Sequence, residues 1–149
     1  MKIGIVSDHR GYNLKKELIE LLTKEGYFVN NYGTDSEVRI DYPDYAFILG
    51  EKIILKEVDL GIAICGTGIG MSIAMNKVKG VICAKIGNEV DAFKAKEHNN
   101  ANALAFSSEK SAKEITKLIK IFISTKFLEN AGYEERINKI KLYEESNES

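Results

Sequence analysis

Residues Asp59 to Ala74 read DLGIAICGTGIGMSIA. An apolar run, Leu60 to Ile64, meets Cys65, and Gly66, Gly68 and Gly70 then punctuate a segment that carries Thr67 and Ser72. An apolar strand that ends at a thiol and opens through a glycine-rich turn into a helix is how an α/β protein builds a site. Cys65 therefore reads as a catalytic base, and the loop after it as a holder of an anion.

The ordinary fate of a lone cysteine is burial as a small hydrophobe. Cys83, inside the next apolar run, is read that way. Cys65 differs in its surroundings, because the amides of the turn and the start of the helix favour the thiolate. A thiolate there can take a proton or attack a carbonyl. The glycine pattern alone also fits a plain tight turn. It is not a Walker A loop, since no Gly-Lys-Ser/Thr follows. It is not the usual dinucleotide fingerprint either, which follows a first strand and needs an acidic residue about 20 positions on. Amides converging at a helix start still suit a phosphate or a developing enediolate oxygen.

Outward from this stretch the chain alternates. Strands are predicted over 2–7, 27–30, 60–65, 81–86 and 102–106, and helices over 13–24, 45–56, 70–77, 89–97, 108–124 and 134–144. Leu14, Leu18, Leu21 and Leu22 share one face of the first helix, which Gly26 stops. Ile48, Ile53 and Leu55 are the buried candidates of the second. Ile115, Leu118, Ile119 and Phe122 are those of the fifth. The stretch 31–44 reads as irregular and holds the one proline, Pro43. The charged end, 143–149, reads as a frayed tail. Five strands alternating with helices give an α/β fold, Rossmann-like and doubly wound, with a parallel sheet covered on both faces and a C-terminal helix.

Ligands of such folds sit beyond the C-terminal strand ends. Those ends are Ser7-Asp8-His9, the loop after Tyr32, Cys65-Gly66-Thr67 and Gly87-Asn88. Asp8 either caps the first helix or takes sugar hydroxyls, and His9 would take a phosphate or hydroxyl. His98 ends the fourth helix, where a histidine suits the helix dipole. That loop lies at the N-terminal edge of the sheet, opposite Cys65. A catalytic His98 then reaches the Cys65 of a second copy in a symmetric dimer, or else an irregular fourth helix folds it back onto its own site. Arg136, among Glu134, Glu135 and Lys139, is either part of a solvated face or a phosphate ligand across an interface.

The 149 residues suit one domain, spanning 1–149. A net charge of -1 gives no electrostatic case for nucleic acid or an anionic membrane. No apolar run approaches the roughly 20 residues that span a bilayer, and MKIGIVSDH is not laid out as a signal peptide. Two cysteines without a CxxC pair do not spell a zinc site. The expectation is a reduced, cytoplasmic protein.

DHRGYNLK at 8–15, DYPDYA at 41–46, ICGTGIGMSIAMNKVKG at 64–80 and EHNNANALAF at 97–106 together resemble the ribose-5-phosphate isomerase B family, which includes the galactose-6-phosphate isomerase subunits. The resemblance runs in order over nearly the whole chain. It implies a cofactor-free aldose–ketose isomerase, a homodimer or tetramer with sites at the interface, acting on ribose 5-phosphate in the pentose phosphate pathway through an enediol. By that resemblance Cys65 moves the proton between C1 and C2. His98 helps to open the ring, with Thr67 nearby. The substrate would be bound by Asp8, His9, Tyr42, Gly66, Gly68, Ile69, Gly70, Ser72, Asn99 and Arg136. The galactose pair is disfavoured, since one of its subunits lacks the cysteine block and the other lacks the histidine; this chain has both.

The departures lie at the phosphate end. The family commonly carries Gly-Gly-Arg-His before the arginine matched by Arg136. Here 130–136 reads NAGYEER, with Gly132 in the place of the first arginine and Tyr133 in that of the histidine. Glu109 stands where another arginine usually follows the fifth strand. Arg10 or Lys110 are the cations available to substitute. A related six-carbon sugar phosphate such as allose 6-phosphate, or a non-catalytic sugar-phosphate-binding role, stays open on these grounds.

Overall fold

The structure is a computed structural model and describes residues 1–147. Five parallel strands form one sheet in the order β2-β1-β3-β5-β4. They are β1 (Lys2–Ser7), β2 (Phe28–Asn31), β3 (Leu60–Cys65), β4 (Cys83–Lys85) and β5 (Ala103–Ser107). The helices are α1 (Tyr12–Lys24), α2 (Tyr42–Ile54), α3 (Ile69–Asn76), α4 (Glu89–Glu97), α5 (Ala112–Ser124) and α6 (Tyr133–Ser146). All six residues of β3 are buried, as are five of the six of β1. Burial on both faces explains why these strands read as continuous apolar runs rather than alternating ones.

Two cores flank the sheet. On one face, Leu18 and Leu22 of α1, Ala92 and Ala95 of α4, and Ile115, Leu118, Ile119 and Phe122 of α5 pack on Ile3, Ile5, Ile62, Ile64, Leu104 and Phe106. On the other, Ala46, Leu49 and Ile53 of α2 and Met71, Ala74 and Met75 of α3 pack on Val6, Ala63, Cys65 and Ala105. Each large apolar side chain buried this way is worth about 1.5–3 kcal/mol relative to exposure. The chain leaves β1 toward the α1 face and leaves β3 toward the α3 face. That divergence opens a crevice between their C-terminal ends, the position where doubly wound folds hold ligands.

Element boundaries differ from expectation for local reasons. β2 starts at Phe28 because the Tyr27 amide still donates to Leu22 O, closing α1 over Gly26 (φ +95°). α2 starts at Tyr42 rather than Tyr45, with Pro43 in its first turn, where no amide hydrogen is needed. Its inward stripe is Ala46, Leu49, Gly50 and Ile53. Ile48 and Leu55, expected in the core, are 41% and 67% exposed. α3 likewise starts one residue early, at Ile69. β4 is only three residues, not six. Beside its start, amide side chains join the backbone pairing: Asn76 pairs with the backbone of Cys83 in both directions, and Asn102 Oδ1 accepts from Ile82 N while Asn102 N and Ala103 N donate to Ile82 O. β5 begins at Ala103, not Asn102. α5 begins at Ala112, not Ser108, because the Ser111 hydroxyl caps it by accepting from Glu114 N.

α6 runs through Ser146 with Asn147 as its C-cap, so 143–146 is helical; 148–149, the end of the expected tail, lie outside the described residues. Ile137 is its buried residue, while Ile140, Leu142 and Tyr143 are exposed. Among the described residues no helix is long and apolar enough to cross a membrane.

Candidate active site

The crevice holds a cavity of about 730 Å³ with three walls. Asp8, His9 and Arg10 come from the end of β1 and the 3-10 turn His9–Gly11 that follows it; 39–44 come from the loop into α2; Cys65, Gly66, Thr67 and Gly70 come from the end of β3. A second depression, of about 550 Å³ between α1 and α5, is lined by Leu21, Ile121, several lysines and Glu25, which pairs with Lys120 at 3.2 Å, and it lies away from the C-terminal strand ends.

Cys65 is 5% exposed, and its Sγ accepts the Gly68 backbone N–H at 3.2 Å. The turn is tied down on both sides. Ser108 N donates to Cys65 O at 2.8 Å, Ser107 Oγ donates to Gly66 O at 2.8 Å, and Thr67 Oγ1 accepts from Ile69 N at 3.1 Å. Gly68 sits in the left-handed region (φ +80°), and a Cβ there would lie 2.9 Å from the Phe106 carbonyl carbon. Only glycine suits both conditions.

Asp8 caps the 3-10 turn, its Oδ1 accepting from Gly11 N at 3.0 Å, while the residue also lines the cavity. Both alternatives read for Asp8 are thus compatible with its place. His9 Nδ1 accepts from Ile40 N at 3.3 Å, so in the neutral ring the proton is on Nε2. The Tyr42 ring lies on α3, and a Cβ at Gly70 would come within 2.6 Å of its Cζ. Cys83 is read correctly as inert: burial pushes its thiol up to about 12, against a smaller opposing effect of a hydrogen bond with Ser72.

Asp8, His9, Tyr42, Cys65, Gly66, Thr67 and Gly70 therefore converge, with the Gly68 amide behind Cys65. Ile69 is 52% exposed on the first turn of α3, and Ser72 is engaged with Cys83; neither lines the cavity.

His98, Asn99 and Arg136 do not line it either. Cys65 pairs with Ser107 at the C-terminal end of β5, whereas His98 precedes Ala103, where β5 starts. His98 does not fold back. Its ring stacks on Tyr133 at 4.3 Å, its Nε2 lies 3.4 Å from the Glu97 carboxylate, and Arg136 lies 5.8 Å from the same tyrosine ring. These form a second cluster at the opposite edge, where α4 and α6 meet. Arg39, Asp41 and Asp44 line the cavity without having been singled out. Arg39 had only its position in the loop after a strand end, whereas Asp41 and Asp44 lie in the DYPDYA segment that carries the resemblance.

The ribose/galactose isomerase family model matches residues 3–140. The chain belongs to this family. A putative sugar phosphate isomerase of Bacillus subtilis is 42% identical over 149 residues, covering 99% of each chain. The ribose-5-phosphate isomerase B of Escherichia coli is 41% identical over 118 residues, 79% of each. Among solved structures, ribose-5-phosphate isomerase B of Clostridium thermocellum superposes with a TM-score of 0.94 at 39% identity, covering 99% of this chain and 100% of that one. The Mycoplasma genitalium enzyme with bound ribulose-5-phosphate gives 0.90 at 39% identity, covering 98% and 97%. The family resemblance and the Rossmann-like fold expected from the sequence both hold.

Proposed function

We propose that this ribose/galactose isomerase family member is an aldose–ketose isomerase that interconverts ribose 5-phosphate and ribulose 5-phosphate in the cytoplasm. The observation that carries the reading is the nearly buried Cys65 thiol on the cavity wall, with a backbone N–H aimed at its sulfur. Cys65 as thiolate takes the C2 proton of the open-chain aldose, and the electrons move to the carbonyl as an enediolate. The backbone N–H groups of the 66–70 turn at the start of α3 face the developing oxygen charge. The O2 hydroxyl proton passes to O1, and the proton held by Cys65 returns to C1 as the C2 carbonyl forms, giving the ketose. A positioned base contributes about 10²–10⁴-fold and one oxyanion donor about 10²–10³-fold.

The working unit is a homodimer or a larger assembly of such pairs, with His98, Asn99 and Arg136 of one copy completing the cavity of another. Two features support this. The second cluster stands at the far edge of its own sheet, and the outer face of α2 and α3 is apolar: Phe47, Ile48, Leu55, Ile69 and Ile73 are all between 41% and 67% exposed. Surfaces of that kind are covered in assemblies.

The test is to incubate the purified protein with ribose 5-phosphate and follow ribulose 5-phosphate, beside a panel of five- and six-carbon sugar phosphates. Turnover that Cys65→Ala abolishes while binding persists supports the reading. Full activity in that variant, or binding without turnover in the wild type, contradicts it. Preference for allose 6-phosphate in the panel would reassign the substrate but keep the chemistry.

A further inference from the structure

The cavity holds two guanidinium groups, Arg10 and Arg39, that proton transfer at Cys65 leaves unused, and Arg10 is the one that lies against the cysteine loop. Arg10 is the middle residue of the 3-10 turn His9–Gly11. Its side chain lies across the cysteine loop: a Cβ at Gly66 would fall 3.0 Å from Arg10 Nη1 and 3.2 Å from Cδ. The absence of a side chain at Gly66 is what lets the guanidinium lie there. Asp8, Asp41 and Asp44 line the same cavity, yet among the described residues Arg10 makes no ion pair or hydrogen bond. A guanidinium carries five donors in a planar fork, and the fork matches the oxygens of a phosphate. Its neighbour His9 adds to the same wall, because the Ile40 amide occupies Nδ1 and leaves Nε2 as the donor. One cavity therefore presents a thiol and an unpartnered guanidinium on adjoining walls. A substrate with its reacting carbon and its anionic group at opposite ends fits that layout.

We infer that Arg10 is the principal phosphate-binding and specificity-determining residue of the site, gripping the terminal phosphate bidentately while His9 Nε2 donates to it. The identity of the ligand rests on the isomerase reading above. The cationic subsite itself rests on the geometry.

Two measurements test it on the full-length protein. First, steady-state kinetics with ribose 5-phosphate are compared for wild type, Arg10→Gln and Arg10→Lys. Loss of a charge-assisted contact predicts a rise in KM of about 10- to 100-fold for Arg10→Gln with kcat nearly unchanged. Arg10→Lys recovers part of it, since lysine restores the charge without the fork. Second, inorganic phosphate is titrated by calorimetry, which needs no turnover. Weakening by a similar factor in Arg10→Gln is expected. An unchanged KM, or equal phosphate affinity in wild type and Arg10→Gln, overturns the inference. A wild type that binds phosphate through Arg10 but isomerises no sugar phosphate overturns the isomerase reading alone.

Discussion

The Gly68 backbone N–H reaches the Sγ of Cys65 across 3.2 Å, and it does so from a left-handed residue packed against the Phe106 carbonyl. Thiol and donor thus depend on one backbone conformation. Gly68→Ala would add left-handed strain of about 1–2 kcal/mol and a clash at 2.9 Å with backbone that cannot give way. The expected outcome is a lower unfolding midpoint together with a fall in kcat of about 10²-fold or more. Urea unfolding and steady-state kinetics check it. Unaltered kcat in a folded variant would show that the amide has no part in catalysis.

Gly70 and Tyr42 make a separable case. Gly70 is inside α3, where alanine is intrinsically better by about 1 kcal/mol, yet a Cβ would press on the Tyr42 ring at 2.6 Å. Gly70→Ala should therefore leave stability intact and raise KM by displacing Tyr42. Removing the ring relieves the clash, so in the double variant with Tyr42→Ala the two effects on KM should fall well short of adding. Additive effects would mean that the ring does not mediate them.

Lys15 gives a pH prediction. Its Nζ donates to Asn31 Oδ1 at 2.7 Å and to Thr34 O, holding the end of β2 and the start of the loop into α2 against α1. Burial pushes its pKa down from 10.5 to about 8, with Asp35 opposing. Between those values the unfolded chain binds more protons than the folded one, so stability rises with pH from about 8 to 10.5, and below 8 this group adds no slope. Urea unfolding at pH 7 to 10 should show wild type gaining stability relative to Lys15→Met across that window. Parallel curves would contradict the assignment. Lys15→Met should be less stable at every pH, because it strands a buried carbonyl.

Equal mixtures of inactive Cys65→Ala and His98→Ala proteins test the shared site. Random pairing makes half of the dimers mixed, and one of their two sites is complete, so about a quarter of wild-type activity should return. No recovery, with subunit exchange confirmed by mass spectrometry, would place each site within one chain.

What the sequence disclosed follows from how local each signal is. The β3–turn–α3 unit was legible because an apolar run ending at a thiol and three glycines has few other uses. The edge occupied by His98 followed from parity, since every helix-to-strand loop of a parallel sheet lies opposite the strand C-termini. Ile48 and Leu55 were misplaced because an apolar residue type in a helix does not by itself say whether it faces the sheet or points away from it. The start of α5 was missed although Ser111 and Glu114 spell a capping box. The position of Arg10 was named only as an available cation. Its contact with Gly66 is through space, set by the way the 3-10 turn leaves β1, and no spacing in the chain encodes that.

The most direct test of the account is isotopic. Ribose 5-phosphate is incubated with the protein in deuterium oxide, and both sugars are read by NMR. An enediol formed by Cys65 predicts deuterium at C1 of ribulose 5-phosphate and at C2 of recovered ribose 5-phosphate with wild type, and none with Cys65→Ala. Exchange at the wild-type rate in Cys65→Ala would contradict it.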